Sequence, residues 1–286
     1  MYYSFCEVPM QEHEIKKIYL GSLREIDPVK TFECGQCFRW NADVNGDYWG
    51  VARGKAARVI TEGDEVYIIS TQEDYEGIWR DYLDMERDYE SIRLSFNAGE
   101  YLSRCAEFGA GIRILRQERW EALCSFIISQ CNNIPRIKGI VEKLCRGWGD
   151  RFEFEGREFY SFPTPETVAA LEAEDLAPIR SGYRAEYIVA AARAIVSGEV
   201  DLDALAAADE KVAMKALLSM KGVGVKVANC AMLFGLGHME AFPIDVWMKR
   251  ALSEHFAPDF KPESLGQYAG LAQQYIFYYA RSGDGK

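Results

Sequence analysis

Near Asp74 the hydrophobic pattern of this chain changes period, and no fold built from one kind of element accommodates both halves. Ahead of it, Tyr48-Trp-Gly-Val51, residues 56–60 and Val66-Tyr-Ile-Ile-Ser70 are short runs rich in β-formers. Turn signals at Arg53-Gly54-Lys55 and Glu62-Gly63-Asp64 separate them, which predicts antiparallel strands. Beyond it, Tyr75, Ile78, Trp79 and Tyr82 fall at helical spacing. Helices are predicted over residues 120–129, 135–147, 166–172, 183–196, 210–220, 225–236, 246–255 and 265–281. A polar and aromatic stretch at 150–162 has the composition of a short hairpin. The expected class is α+β: an N-terminal antiparallel β-sheet lobe, residues 1–100, on a mainly helical body, residues 101–286.

A chain of 286 residues buries a core without disulfides or structural metal, and 49% hydrophobic with 27% charged residues is ordinary for a globular protein. The net charge of −11 by itself weighs against a nucleic-acid partner, because phosphate contacts need clustered Lys and Arg. The distribution is uneven, however. Residues 71–100 carry −6, whereas 111–150 carry +3 and 211–250 carry +4. The acidic run reads as a solvated face.

Eight cysteines (Cys6, Cys34, Cys37, Cys105, Cys124, Cys131, Cys145 and Cys230) are scattered through apolar or helical stretches, and Met1-Tyr-Tyr-Ser-Phe5 does not resemble a leader. Reduced thiols and a cytoplasmic protein are expected, nucleoid-associated in a prokaryote and nuclear in a eukaryote. No apolar stretch reaches membrane-span length, so no membrane association is expected. Cys34-Gly-Gln-Cys37 has redox or zinc spacing. No second pair accompanies it, and the histidines are only His13, His238 and His255, so it reads as two small residues in a turn. No cysteine follows Cys230, so a C-terminal four-cysteine iron–sulfur cluster is excluded. No metal and no cofactor is expected.

The chemistry concentrates in Leu217-Leu-Ser-Met-Lys-Gly-Val-Gly-Val-Lys-Val-Ala-Asn-Cys-Ala-Met-Leu-Phe234. A helix ends near Met220, Gly222-Val-Gly224 turns the chain, and a second helix starts near Val225. Two glycines let backbone approach a ligand closely, and the free N–H groups of a helix start attract anions. This is a helix-hairpin-helix, a device for holding a DNA backbone phosphate. Lys226 sits in the first turn of the second helix, where the helix dipole disfavours a cation. It is either an exposed lysine beside a phosphate or an amine nucleophile. Cys230 lies one turn on, on the same face. Further on comes Phe242-Pro-Ile-Asp-Val-Trp247, whose Asp245 lies nineteen residues after Lys226. Asp245 is a helix N-cap there, and a fixed carboxylate able to stabilise a cationic sugar if it adjoins the amine.

Gly222-Val-Gly224, Lys226 and Pro243-Ile-Asp245 resemble the helix-hairpin-helix base-excision glycosylases, and within them the 8-oxoguanine DNA glycosylase/AP lyases. Four further motifs agree in order: Cys34-Gly-Gln-Cys-Phe-Arg-Trp40, Ser129-Gln-Cys-Asn-Asn-Ile-Pro-Arg136, Ser181-Gly-Tyr-Arg-Ala185 and Tyr268-Ala-Gly-Leu-Ala-Gln-Gln-Tyr-Ile-Phe277. The resemblance implies a TBP-like N-terminal sheet lobe and a monomer acting on double-stranded DNA containing oxidised guanine. It implies Lys226 as nucleophile, Asp245 as its carboxylate, and a Gly35 carbonyl that accepts the N7–H of 8-oxoguanine. Phe277 and Cys230 would sandwich the flipped base, and Gln273 would bind its Watson–Crick edge. Asn133, Arg136, Tyr183 and Arg184 would fill the gap and read the opposite cytosine, with Gly222 and Gly224 on the DNA backbone. Bland readings stand beside these: Gly35 a turn, Phe277 core, Gln273 a polar helix face, Cys230 a small hydrophobe, Tyr183 an interface ring, the arginines phosphate contacts.

Three positions depart from the family pattern. Cys131 stands for the first of three asparagines, Trp247 for a histidine, and Ala280 for the aspartate that pairs with that histidine. Competing readings are a glycosylase for alkylated purines, which usually activates water and lacks the lysine, a non-catalytic DNA-binding module, and a thiol redox protein.

Overall fold

The computed structural model describes residues 14–96 and 99–282; Cys6 and His13 lie outside them. Five strands, β1 (Ile15–Ser22), β2 (Asn41–Ala42), β3 (Tyr48–Ala52), β4 (Lys55–Glu62) and β5 (Glu65–Thr71), form one antiparallel sheet in the order β1-β5-β4-β3-β2. β3, β4 and β5 occupy the predicted runs. β1 went unpredicted because Ile15, Lys16, Lys17 and Tyr19 are all exposed on this edge strand, so apolar alternation is weak. A helix α1 (Pro28–Glu33), capped by Asp27 with Pro28 in its first turn, also escaped the sequence reading.

The lobe closes on Trp40. Its ring stacks on Phe32 at 4.1 Å, meets Trp79 edge-on at 5.8 Å, and its Nε1 donates to the Tyr82 hydroxyl at 3.0 Å. A Cβ at position 50 would stand 2.0 Å from the Trp40 ring, which is why β3 carries Gly50 there. The segment 72–82 is helical, but Tyr75–Trp79 is a π-helical turn between two short α-turns. The wider turn buries Trp79 and Tyr82 fully while Tyr75 and Ile78 stay partly exposed.

The body is helical. α2 (Arg119–Ile128) is its axis, buried at every residue from Trp120 to Ile128. α3 (Ile134–Trp148) buries Ile137, Ile140, Val141, Leu144 and Cys145, one face at helical spacing. The predicted hairpin is present as β6 (Arg151–Phe154) and β7 (Arg157–Tyr160), docked on the sheet through Arg58–Glu155 at 2.9 Å and Arg157–Asp43 at 3.1 Å. Then follow α4 (Arg184–Val196), α5 (Glu210–Ser219), α6 (Val225–Ala231), α7 (Val246–His255) and α8 (Ala269–Ser282). Three predicted helices are corrected. Residues 225–236 finish in a π-turn, Met232–Leu236. Residues 265–281 are not one helix: Gly266, at φ +71°, kinks the 3-10 stretch Pro262–Tyr268, and α8 begins only at Ala269. The predicted 166–172 helix shortens to Pro165–Ala169.

The Cys34–Trp40 segment is the seam between lobes. Cys37 and Trp40 face the sheet core, whereas Cys34 and Phe38 face the helical core. Arg39 makes an ion pair with Glu121 of α2 at 3.6 Å and donates to the Tyr160 carbonyl. Among the described residues no helix is long and apolar enough to cross a membrane, and no three His, Cys, Asp or Glu side chains gather as a metal site needs.

Candidate active site

The hairpin is assembled by partners distant in sequence. Gly222 takes φ +80°, and a Cβ there would fall 2.2 Å from the Tyr187 ring of α4, so this glycine lies flat on an aromatic floor. Its carbonyl accepts from Gln130 Nε2 at 3.0 Å. Lys221, just ahead, pairs with Glu186 at 2.9 Å. Gly224 is the N-cap of α6, has ordinary φ −92°, and faces open space.

Lys226, in the first turn of α6, reaches back to α2. Its Nζ donates to Ser129 Oγ at 3.2 Å and stands 5.4 Å from the Phe126 ring centre. The Ser129 hydroxyl spends its own proton on the Phe126 carbonyl at 2.8 Å, so toward Lys226 it is an acceptor. Burial pushes the Cys230 thiol up to about 11. Lys226 pulls it down, by charge and by hydrogen bond, and Asp245 pushes it up. Asp245 caps α7 through a bond from Met248 N at 2.9 Å, which fixes its rotamer. Asn229 went unnoticed in the sequence, though it lies one turn after Val225. Its Nδ2 donates to the Val225 carbonyl at 2.9 Å and its Oδ1 accepts from Phe242 N at 3.1 Å. It straps the loop that ends in Asp245 to the helix that carries Lys226.

A second group meets where the lobes join. Gly35, at φ +81°, packs so that a Cβ would lie 3.6 Å from both Phe277 of α8 and Ile134 of α3. Gln273 is 4% exposed, and its Oε1 has no hydrogen-bond partner. A buried unmet acceptor is costly, and a ligand donor would satisfy it. Phe126 links the two groups: beneath Lys226 on one side, it meets Phe38 of the seam edge-on at 5.7 Å on the other.

The remaining candidates surround the loop after α2. Asn133 caps α3, its Oδ1 accepting from Arg136 N at 3.0 Å. Arg136 is exposed and its Nη2 lies 3.4 Å from the Arg180 carbonyl. Tyr183 is exposed, edge-on to Tyr187 at 5.6 Å. Arg184 differs. It is 4% exposed, and its guanidinium donates to the carbonyls of Gln130, Ser181 and Cys131. In this conformation it braces the loop rather than facing outward. Trp247 is exposed in the first turn of α7, and Ala280 is half-buried on α8, so neither departure strands a charge. Of the described cysteines only Cys131 is exposed; burial pushes Cys34 up to about 11 and Cys37 well above its usual range, the opposite of a reactive pair.

Fold and site together define a helix-hairpin-helix protein whose second hairpin helix carries a lysine and is strapped by Asn229 to the loop that ends in a capping aspartate. The chain belongs to the HhH-GPD superfamily of base excision DNA repair proteins, whose family model matches residues 124–267. Residues 18–123 match the 8-oxoguanine DNA glycosylase N-terminal domain. A probable N-glycosylase/DNA lyase of Methanothermobacter thermautotrophicus is 31% identical, covering 70% of this chain and 72% of that protein. The Clostridium acetobutylicum 8-oxoguanine glycosylase/lyase, solved with duplex DNA containing cytosine opposite 8-oxoguanine, superposes with TM-score 0.84 at 34% identity over 94% of this chain and 97% of that one. Its apo form gives 0.86 at 35% identity over 93% and 98%.

Proposed function

We infer that this protein is a bifunctional DNA glycosylase/AP lyase that excises 8-oxoguanine from duplex DNA in base-excision repair. The observation that carries the reading is Lys226 in the first turn of the hairpin's second helix, with the loop that ends in Asp245 strapped to that same helix by Asn229. The target carbon is buried in the duplex stack, so the nucleotide must be flipped out first.

Lys226 sheds a proton, and its nitrogen lone pair attacks C1′ as the bond from C1′ to the base breaks. The departing base takes up a proton. Opening of the sugar ring leaves a Schiff base, which acidifies C2′–H; loss of that proton expels the 3′ phosphate. The Asp245 carboxylate stabilises the positive charge that develops on the sugar. Gln273 Oε1 awaits a donor from the base edge, Phe277 and Cys230 supply its two faces, and the Gly35 carbonyl accepts the N7–H that guanine lacks. Arg136, Tyr183 and Asn133, on the exposed rim, meet the opposite strand. A glycosylase for alkylated purines would keep the fold and leave Lys226 idle.

Borohydride trapping on an 8-oxoguanine:cytosine duplex tests this. Lys226→Gln should retain lesion binding and lose both strand cleavage and the covalent adduct. Asp245→Asn keeps the cap, since Asn caps as well as Asp, and should lower single-turnover excision by about 10². An adduct at wild-type level in Lys226→Gln would remove the nucleophile assignment.

A further inference from the structure

We propose that Gln274 is a positioning residue for lesion recognition, holding the Cys34–Gly35 peptide, next to the one that presents the Gly35 carbonyl; the proposal rests on the 8-oxoguanine reading above. Gln274 is 2% exposed and follows Gln273 on α8. Its Nε2 donates to the Cys34 carbonyl at 2.8 Å, joining residues 240 positions apart. The bond ties the last helix of the body to the peptide immediately ahead of Gly35. On the other side of Gly35, Gln117 Nε2 donates to the Gln36 carbonyl at 2.7 Å. The Gln36 side chain is itself fixed, donating to the Arg113 carbonyl at 2.7 Å and accepting from Leu115 N at 2.9 Å. Both carbonyls flanking Gly35 are thus held by buried amides, and Gly35 turns between them at φ +81°.

This arrangement matters because glycine is the residue least able to hold its own peptide orientation. Without the Gln274 donor, the Cys34 carbonyl becomes a buried unmet acceptor, and the chain relieves it by rotating about Gly35. A rotation there moves the acceptor meant for N7–H and nothing in the Lys226–Asp245 pair. Lesion discrimination should therefore separate from sugar chemistry.

Gln274→Met keeps the volume and removes the donor. Single-turnover excision of 8-oxoguanine opposite cytosine should fall about tenfold or more, the scale of a displaced recognition contact. Cleavage of a preformed abasic duplex needs no base recognition and should stay within about twofold of wild type. Gln274→Glu is an independent arm that decides the matter even if the first variant does not fold. A protonated carboxyl donates to the Cys34 carbonyl and a carboxylate does not, so its excision should drop, relative to wild type, as pH rises. Unchanged excision in both variants overturns the proposal, as does an equal loss of abasic-site cleavage. Wild-type protein that leaves 8-oxoguanine in place would overturn the functional reading itself, before any substitution is made.

Discussion

Cys131 is the residue whose chemistry and backbone conformation disagree most. It takes φ +46°, a left-handed conformation that Asn tolerates and most side chains pay for in strain. Its side chain is exposed beside Arg136 and Asn133, on the rim assigned to the opposite strand. A thiol is a weak donor and weak acceptor, so it reads a base edge poorly. Cys131→Asn should therefore relax the backbone by up to about 1 kcal/mol. It should also raise the preference for cytosine over adenine opposite the lesion, by the roughly 1–3 kcal/mol of one good base contact. Single-turnover excision opposite each of the four bases, with a denaturation midpoint for the same variant, checks both. Unaltered ratios would show that position 131 does not touch the partner base.

At the scale of elements, the two hairpin glycines do different work. Gly222 is required by the fold, for its φ of +80° and for its contact with Tyr187. Gly222→Ala should cost about 3 kcal/mol, from left-handed strain and overpacking together, and weaken duplex binding with it. Gly224 has ordinary φ and nothing within 4 Å of a built Cβ. Gly224→Ala should leave stability near wild type while lowering affinity for duplex DNA, because the methyl group stands where a phosphate approaches the helix start. Urea midpoints beside duplex affinities separate the two. Equal stability losses in both variants would contradict the distinction.

Across the whole molecule, the lobes are held together by polar side chains as much as by apolar packing. Lys138 donates to the Trp40 carbonyl at 2.8 Å, and Arg113 to those of Leu83 at 2.8 Å and Glu25 at 3.0 Å. The Arg39–Glu121 pair is the costliest of these ties. Burial pushes the Glu121 carboxyl up to about 7, against the pull of Arg39, and its Oε2 lacks a hydrogen-bond partner. A carboxyl raised in the folded state binds its proton more tightly there than in the unfolded chain. Its stabilisation is full below the unfolded value near 4.5 and is lost as pH rises through about 7. The loss is about 3 kcal/mol at most. Glu121→Gln should remove this slope, so that wild type loses melting temperature relative to the variant between about pH 5 and pH 8. Parallel curves would mean that Glu121 is ionised throughout.

What the sequence determined is what neighbours in sequence decide. The hairpin, the cap at Asp245, strands β3 to β5 and the span of α3 are written within a few residues of one another, because turns, caps and periodicity are local interactions. Lys226 and Asp245 stand out as candidates in the sequence because their motifs are contiguous. Tertiary structure alone decided which groups meet across the chain: Lys226 with Ser129, 97 residues apart, Arg184 with the Gln130 carbonyl, 54 apart, and Gln274 with Cys34. It also decided that Arg184 turns inward, that Asn229 straps the Asp245 loop, and that a 3-10 stretch kinked at Gly266 precedes the last helix. The physical reason is that a hydrogen bond depends on distance and angle in space. A carbonyl acceptor is present at every residue, so no side-chain pattern along the sequence marks which one a distant donor will find.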